Sequence, residues 1–419
     1  MEEREKESVM KQTSLKHAEG DKLANYLTSL GHIGSDINQG ALAAVLPFLV
    51  MYDGYSYAAV ATLIFAANIA SAIIQPLFGW IGDKHPSPWL MALGVFLAGF
   101  GMTGIGYLDS YAGIVACALI SGTGVAMFHP EGGRLANLAA GQRKGNGMSI
   151  FAVGGNIGFF VGPILAATFL GIFGMHGTLV FLFPATAIAL LLLAFTKRFR
   201  ALGSFAGAKQ AASQQTERWG LFAGVLGALS MRSIVEYGLT SFIPLFLVGV
   251  LGAAEGVGSV AISVFAIAGA AATFMSGKAA EKVGSHRILI LGMGLSAVFL
   301  VVFAFSQSIV LSLVLTVALA IVTDVYYAST VALGMSYVPQ HLGMASGLSY
   351  GVAVCIGGVA EPFLGMLGDA VGLQPVMIVL ACIAAVGALV GVALKAAANP
   401  EKREAAKRKA NAEFGIEEA

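Results

Sequence analysis

The chain has 419 residues, of which 57% are hydrophobic and 11% charged, with a mean hydropathy of +0.81. That leaves too little polar surface to cover a soluble globule of this size and places the protein in lipid. A formal net charge of +1, with no basic cluster away from the membrane flanks, argues against nucleic acid as a partner.

Residues 1–23 are too charged for a signal peptide and read as a tail. A membrane-crossing helix needs about 20 apolar residues. Runs of that kind predict twelve spans: 24–50, 58–80, 88–107, 110–134, 147–171, 177–196, 219–250, 256–277, 287–305, 308–334, 344–367 and 372–395. Turn chemistry marks several boundaries, among them Asp53-Gly54, Gly284-Ser285 and Pro339-Gln340. The stretch 197–218, with Lys197, Arg198, Arg200, Lys209, Glu217 and Arg218, reads as a linker between six-helix halves at 24–196 and 219–395; a second tail follows at 396–419. Of the 24 basic residues, all but Arg232 lie in the tails or in every second gap between spans. Cytoplasmic loops retain Lys and Arg, so this alternation places both termini in the cytoplasm. Cys117, Cys355 and Cys382 sit in apolar runs without ligand spacing, so neither a disulfide framework nor a metal site is expected from them.

The halves read as copies. Gly79-Trp80-Ile81-Gly82-Asp83-Lys84 returns 198 residues later in the stretch Gly277 to Arg287, Pro47 returns at Pro244, and Gly158 with Pro163 returns as Gly357 with Pro362. The first of these loops resembles the signature loop of the major facilitator superfamily. The duplication resembles the parallel repeat of that architecture, with a substrate cavity between the halves. The fold expected is therefore an all-α membrane protein of twelve transmembrane helices in two pseudo-symmetric six-helix bundles. Asp83 and Lys84, with Glu281 at the second copy, are expected as gating residues, the acid capping a neighbouring helix N-terminus when the inner gate shuts. An ordinary solvated turn is the plain alternative.

On span five, Gly154, Gly158 and Gly162 line one helix face ahead of Pro163. Gly158, Gly162 and Pro163 are taken as a close-packing hinge. The spacing resembles the antiporter motif of major facilitator exporters, although glycine stripes also pack membrane helices of every function.

Ionisable groups inside the membrane are costly unless they face a cavity or a partner. They occur here as His32, Asp36, His129, Glu131, Arg232, Glu236, Asp324 and Glu361. His32, Asp36 and Gln39 recur at helical spacing on span one. Asp36 is the expected proton-coupling group, His32 its relay or holder, and a buried packing pair the alternative. Phe128-His129-Pro130-Glu131 puts a kink and an acid on span four, with Arg134 as partner for Glu131 at the membrane boundary or a simple membrane flank. Arg232 and Glu236, four apart, can satisfy each other, and Arg232 also offers a fork for a carboxylate, phosphate or phosphonate. Asp324 is expected as a second proton or substrate site. Glu361, before Pro362, fits helix packing as well as function.

These residues resemble the fosmidomycin-resistance family of major facilitator exporters. The resemblance is carried by His32 with Asp36, the run Gln75 to Trp80 with Asp83-Lys84, Phe128 to Glu131, Val153-Gly154-Gly155-Asn156 with Gly158 and Gly162-Pro163, then Gly343-Met344 and Ser346-Gly347. It implies a proton-driven efflux protein of the bacterial inner membrane that confers resistance to phosphonate antibiotics or related toxic compounds. It also implies functional roles for Asp36, His129 and Glu131, and it brings Asn156, beside Gln39, Arg232 and Glu236, into the expected substrate site.

The function expected is proton-coupled antiport by alternating access, the alternative being a proton-coupled symporter that takes up a small organic anion. A channel would need a ring of like charges, and an enzyme a phosphate-binding glycine loop, a metal-ligand cluster or a paired nucleophile and base. None of these is legible, so no catalytic residue, metal or cofactor is expected. The expected partners are a small-molecule substrate, protons and membrane lipid, with the protein working as a monomer.

Overall fold

The computed structural model of the protein describes residues 20–55, 57–203, 216–253 and 255–398. Most of both expected tails, and residues 204–215 of the expected linker, lie outside that range.

The described residues form helices and turns, with no strand among them. The first half contains α1 (Lys22–Asp53), α2 (Tyr57–Lys84), α3 (Trp89–Gly104), α4 (Tyr111–Ala139), α5 (Lys144–Phe173), a 3-10 segment (Gly174–Phe181) and α6 (Leu182–Ala194). The second contains α7 (Trp219–Gly249), α8 (Glu255–Val283), α9 (Ser285–Ala304), α10 (Ile309–Asp324), α11 (Tyr327–Tyr337), α12 (Leu342–Gly347), a π segment (Leu348–Val352), α13 (Ala353–Val371) and α14 (Leu373–Ala398). Eight described helical segments are long and apolar enough to cross a membrane. One of them, Lys144–Ala194, takes in two of the sequence-predicted spans, and Trp89–Gly104 is a shorter apolar helix.

Helix starts follow local chemistry. Asp21 accepts the N–H of Ala24 at 3.0 Å, Ser110 that of Gly113 at 3.2 Å and Ser308 that of Leu311 at 3.3 Å, each satisfying a donor the helix leaves open. Between α8 and α9 the chain reverses at Gly284, whose φ of 91° suits only glycine. Two expected single helices are interrupted. Span ten breaks at Val325–Tyr326, and span eleven passes through the π segment, a local widening that re-aims side chains near its middle.

The packing repeats between halves. In the first, α1 lies on α5, α3 on α6 and α2 on α4; in the second, α7 lies on α13, α9 on α14 and α8 on α10. The halves meet where α5 touches α8 and α2 touches α12, a pairing that a two-fold axis between the bundles exchanges. The first and last described residues sit at one end of the described structure. Arg198 binds Asp21 at 2.7 Å there, and Arg218 donates to the carbonyls of Tyr337 at 2.8 Å and Ala397 at 3.0 Å.

At this tail-bearing end the apolar core is a single cluster drawn from both halves, including Leu27, Phe128, Phe151, Phe222, Leu229 and Tyr326. Towards the far end it divides into two, one around Leu49, Met102 and Phe181 and the other around Leu239, Phe246 and Phe303. The halves are therefore welded near the tails and packed separately beyond. Outward faces are apolar, with Ile73 67%, Ile172 68%, Phe183 67% and Leu389 67% exposed. Such a surface is stable only against lipid.

Candidate functional site

The glycine stripe of α5 meets α1 backbone to backbone. A Cβ at Gly158 would lie 2.7 Å from the carbonyl oxygen of Ile33 and 2.8 Å from Cβ of Asp36, and one at Gly162 would lie 2.8 Å from the nitrogen of Ala41. Close approach of this kind presses His32 and Asp36 against α5, where the carbonyl of Phe151 contacts Nδ1 of His32 at 2.7 Å. Pro163 lies inside α5, one residue past the stripe.

Across from this seam, α4 delivers His129. Its Nδ1 lies 2.9 Å from the carbonyl of Val125, in its own helix. Three groups then converge: Nε2 of His32 is 3.2 Å from Oδ2 of Asp36, Nε2 of His129 is 3.3 Å from Oδ1, and the two Nε2 atoms are 3.2 Å apart. All three residues are buried. A carbonyl oxygen only accepts, so each Nδ1 carries the ring hydrogen and each Nε2 presents a lone pair unless the ring is protonated. Two lone pairs and a carboxylate facing one another repel, so the cluster needs positive charge between them, and a shared proton is the simplest source. The sequence reading expected no metal-ligand cluster; folding nonetheless assembles these three donors within 4.8 Å of one another.

The second half closes over this cluster with Tyr350, carried by the π segment. Its ring centroid is 5.7 Å from that of His32 and 5.9 Å from that of His129, and its buried hydroxyl has no hydrogen-bond partner among the described residues. Tyr350 touches Tyr327 edge-on at 6.1 Å, and Tyr327 lies under the guanidinium of Arg232 at 4.3 Å. An aromatic bridge thus connects the His–Asp cluster to a second charged group. In that group Arg232 pairs with Asp324 and lies 3.4 Å from Glu236. Spacing had paired Arg232 with Glu236; the break after α10 brings in Asp324 as well. Tyr327 and Tyr350 were not singled out from the sequence. The Tyr326-Tyr327 pair beside Asp324 was a legible signal, whereas nothing in the apolar run around Tyr350 announces a π segment.

Other expected residues fall elsewhere. Glu131 and Arg134 form a buried two-point pair, Nε to Oε2 at 2.8 Å and Nη2 to Oε1 at 2.6 Å, nearer the tail-bearing end. Asn156 spans the interface between halves, 3.5 Å from the hydroxyl of Thr273. Gln39 is half-buried on α1 and belongs to neither cluster. Glu361 binds the hydroxyl of Ser241, joining α13 to α7.

At the interface near the tails, Asp83 accepts the backbone N–H groups of Gly343 at 2.7 Å and Met344 at 2.9 Å, so it caps α12 across the two halves. Asp83 lies beyond the apolar stretch 58–80. Burial pushes its carboxyl up to about 6, outweighing the two N–H groups and Arg134, which act the other way. Lys84 instead lies 3.9 Å over the ring of Trp80, and Glu281, at the repeat of Asp83, is exposed. Close packing completes this interface. A Cβ at Gly145 would lie 3.2 Å from Cα of Gly277, the hydroxyl of Ser149 accepts the N–H of Gly277 at 2.8 Å, and Ser346 donates to the carbonyl of His129 at 2.9 Å.

Comparison with known proteins agrees with this geometry. The chain is 29% identical over 366 residues to the uncharacterized MFS-type transporter YfnC of Bacillus subtilis (strain 168), covering 85% of this chain and 89% of that one. It is 26% identical over 380 residues to the fosmidomycin resistance protein of Escherichia coli (strain K12), with 86% and 90% covered. A third relative is the multi-drug resistance efflux pump PmrA homolog of Lactococcus lactis subsp. lactis (strain IL1403), 22% identical over 290 residues, with 66% and 71% covered. Among solved structures, the fucose:proton symporter FucP of E. coli superposes with a TM-score of 0.69 at 12% identity, covering 88% of this chain and 98% of that one. The proton:xylose symporter XylE gives 0.69 at 13%, covering 87% and 94%. At such identities these two likenesses concern the fold alone. The family model described as Major Facilitator Superfamily matches residues 28–262 and 225–417. With its helices in two bundles meeting at a buried polar seam, the chain belongs to the Major Facilitator Superfamily and is a multi-pass membrane transporter, not an enzyme.

Proposed function

We propose that this transporter is a proton-coupled antiporter that exports fosmidomycin-like phosphonates and related toxic small molecules across a bacterial inner membrane, as a monomer with both termini in the cytoplasm. In this reading the bundles at 24–196 and 219–395 rock about a midplane site, tethered by the linker 197–218. The observation that carries proton coupling is the His32–Asp36–His129 cluster, whose acceptor groups need a proton between them and whose cover, Tyr350, belongs to the opposite half. When the halves part near the tails, Tyr350 leaves with its bundle and the cluster opens to the cytoplasm. When they close, as here, Tyr350 covers the cluster.

Arg232 supports an anionic substrate, because a guanidinium beside an aromatic ring grips a phosphonate or carboxylate by two points. The names of the E. coli and L. lactis relatives favour resistance and export. One observation favours the symport alternative. Arg232 is already held by Asp324 and approached by Glu236, so an incoming anion frees a carboxylate that then takes a proton. Anion and proton bound together travel the same way, which describes uptake of a small organic anion.

Proteoliposomes loaded with a pH dye separate the two. Fosmidomycin or another small phosphonate moving against the proton flux supports antiport, and movement with it establishes symport. Asp36→Asn should abolish pH-driven transport while the protein stays folded. Full activity in that variant would sink the assignment of Asp36.

A further inference from the structure

We infer that His32, Asp36 and His129 form a binding site for a divalent transition-metal ion of the zinc type, held by Nε2 of both imidazoles and by the carboxylate. The two Nε2 atoms are 3.2 Å apart, and each faces its own oxygen of Asp36, at 3.2 Å for His32 and 3.3 Å for His129. A proton is directional and bridges one pair of acceptors. Two protons satisfy both carboxylate contacts but set two N–H groups, on Nε2 atoms 3.2 Å apart, against each other. An ion placed over the triangle contacts all three groups at once. Tetrahedral zinc has bonds to nitrogen and oxygen of about 2.0–2.1 Å, which puts neighbouring ligand atoms about 3.3 Å apart. The two imidazole nitrogens, 3.2 Å apart, have the separation of neighbouring ligands on such an ion, and the carboxylate, with one oxygen facing each ring, completes a donor set whose atoms lie within 4.8 Å of one another.

Two further observations concern the surroundings of the triangle. Both imidazoles have their Nδ1 on a backbone carbonyl, at 2.7 Å from Phe151 and 2.9 Å from Val125. That is the outer support that fixes the tautomer and ring orientation of a metal-bound histidine. Gly155 keeps the space beside the triangle open, since a Cβ there would lie 2.7 Å from Nε2 of His32 and 2.9 Å from Oδ2 of Asp36. The donors also select the ion. Two imidazoles and one carboxylate suit Zn²⁺, Co²⁺ or Ni²⁺, whereas Mg²⁺ and Ca²⁺ require more oxygen ligands than the site offers. Entry needs no tunnel, because Tyr350, on the other half, uncovers the site when the bundles part.

The test uses the full-length protein in detergent, with any affinity tag removed and metal stripped by a chelator. Zn²⁺ is titrated calorimetrically at pH 8, and the loaded protein is examined by zinc X-ray absorption. We expect one saturable Zn²⁺ per chain and a first shell of nitrogen and oxygen at about 2.0–2.1 Å with two imidazoles. Asp36→Asn and His129→Ala should each weaken binding at least about 100-fold, while His286→Ala and His341→Ala retain it. Mg²⁺ should give no binding heat. The inference is overturned by the absence of saturable Zn²⁺ binding, by sulfur or fewer than two imidazoles in the shell, or by unchanged affinity in the cluster variants. The absorption spectrum of the parent protein decides the matter even where a variant fails to fold. Zinc binding without proton flux would refute the transport reading alone, and proton flux without zinc binding this inference alone.

Discussion

Removing the Asp83 side chain should unlatch the tail-bearing end. Its carboxylate joins the halves through the N–H groups of Gly343 and Met344, at 2.7 and 2.9 Å, where the positive end of α12 also attracts it. Hydrogen bonds to a charged group contribute about 1.5–3 kcal/mol each, but part of that is offset by taking the carboxylate out of water, and the raised pKa reports this opposing cost. Truncating a helix cap, where both effects are already included, costs about 0.5–2 kcal/mol. For Asp83→Ala the expected loss is therefore about 1–2 kcal/mol, a factor of about 5–30 in the ratio of closed to open molecules. Spin labels at the exposed positions His85 and Gln340, in a background without native cysteines, report that ratio as a distance distribution. The variant should shift weight to longer distances. Acid has a definite sign in the same assay. Asp83 takes a proton more readily in the closed arrangement, at about 6, than in water, at 3.8. Its contribution to closure thus grows as pH falls from about 6 towards 4 and is smallest above that window. The parent should close further between pH 7 and pH 5, and the Ala variant should lack that part of the shift. Coincident distributions for the two proteins at both pH values would refute the reasoning.

Gly158→Ala should cost about 1–3 kcal/mol, because the new Cβ would meet Ile33 and Asp36 at 2.7 and 2.8 Å, while Gly171→Ala, with nothing within 4 Å, should be neutral or stabilising by up to about 1 kcal/mol. Thermal unfolding in detergent ranks the pair, and equal melting temperatures would refute the close-contact role of the stripe. Arg232→Met should destabilise by about 3–5 kcal/mol, since Asp324 and Glu236 would then be buried without their cation. Adding Asp324→Asn should restore part of the melting temperature. A second substitution that lowers it further would show that Arg232 does not serve to neutralise Asp324.

The sequence by itself determined the membrane class and the duplication. Each rests on local quantities: apolar run length, the alternation of Lys and Arg, and motifs returning after about 198 residues. It also identified Asp36, His129 and Arg232 as costly groups that need partners, because the expense of a charge in lipid is independent of how the helices pack. The identity of those partners was legible only within a helix turn, as for His32 with Asp36, Glu131 with Arg134 and Arg232 with Glu236. The tertiary structure alone decided the rest. His129 reaches Asp36 from a different helix because the glycine stripe lets α5 press α1 against the seam. Asp324 reaches Arg232 where span ten breaks, and Tyr350 reaches both histidines from a π segment that no period in its apolar run foretells. Closure near the tails was likewise undecided by sequence. The contacts that close the two bundles there, among them Gly145 with Gly277 and Asp83 with α12, join residues more than 100 positions apart.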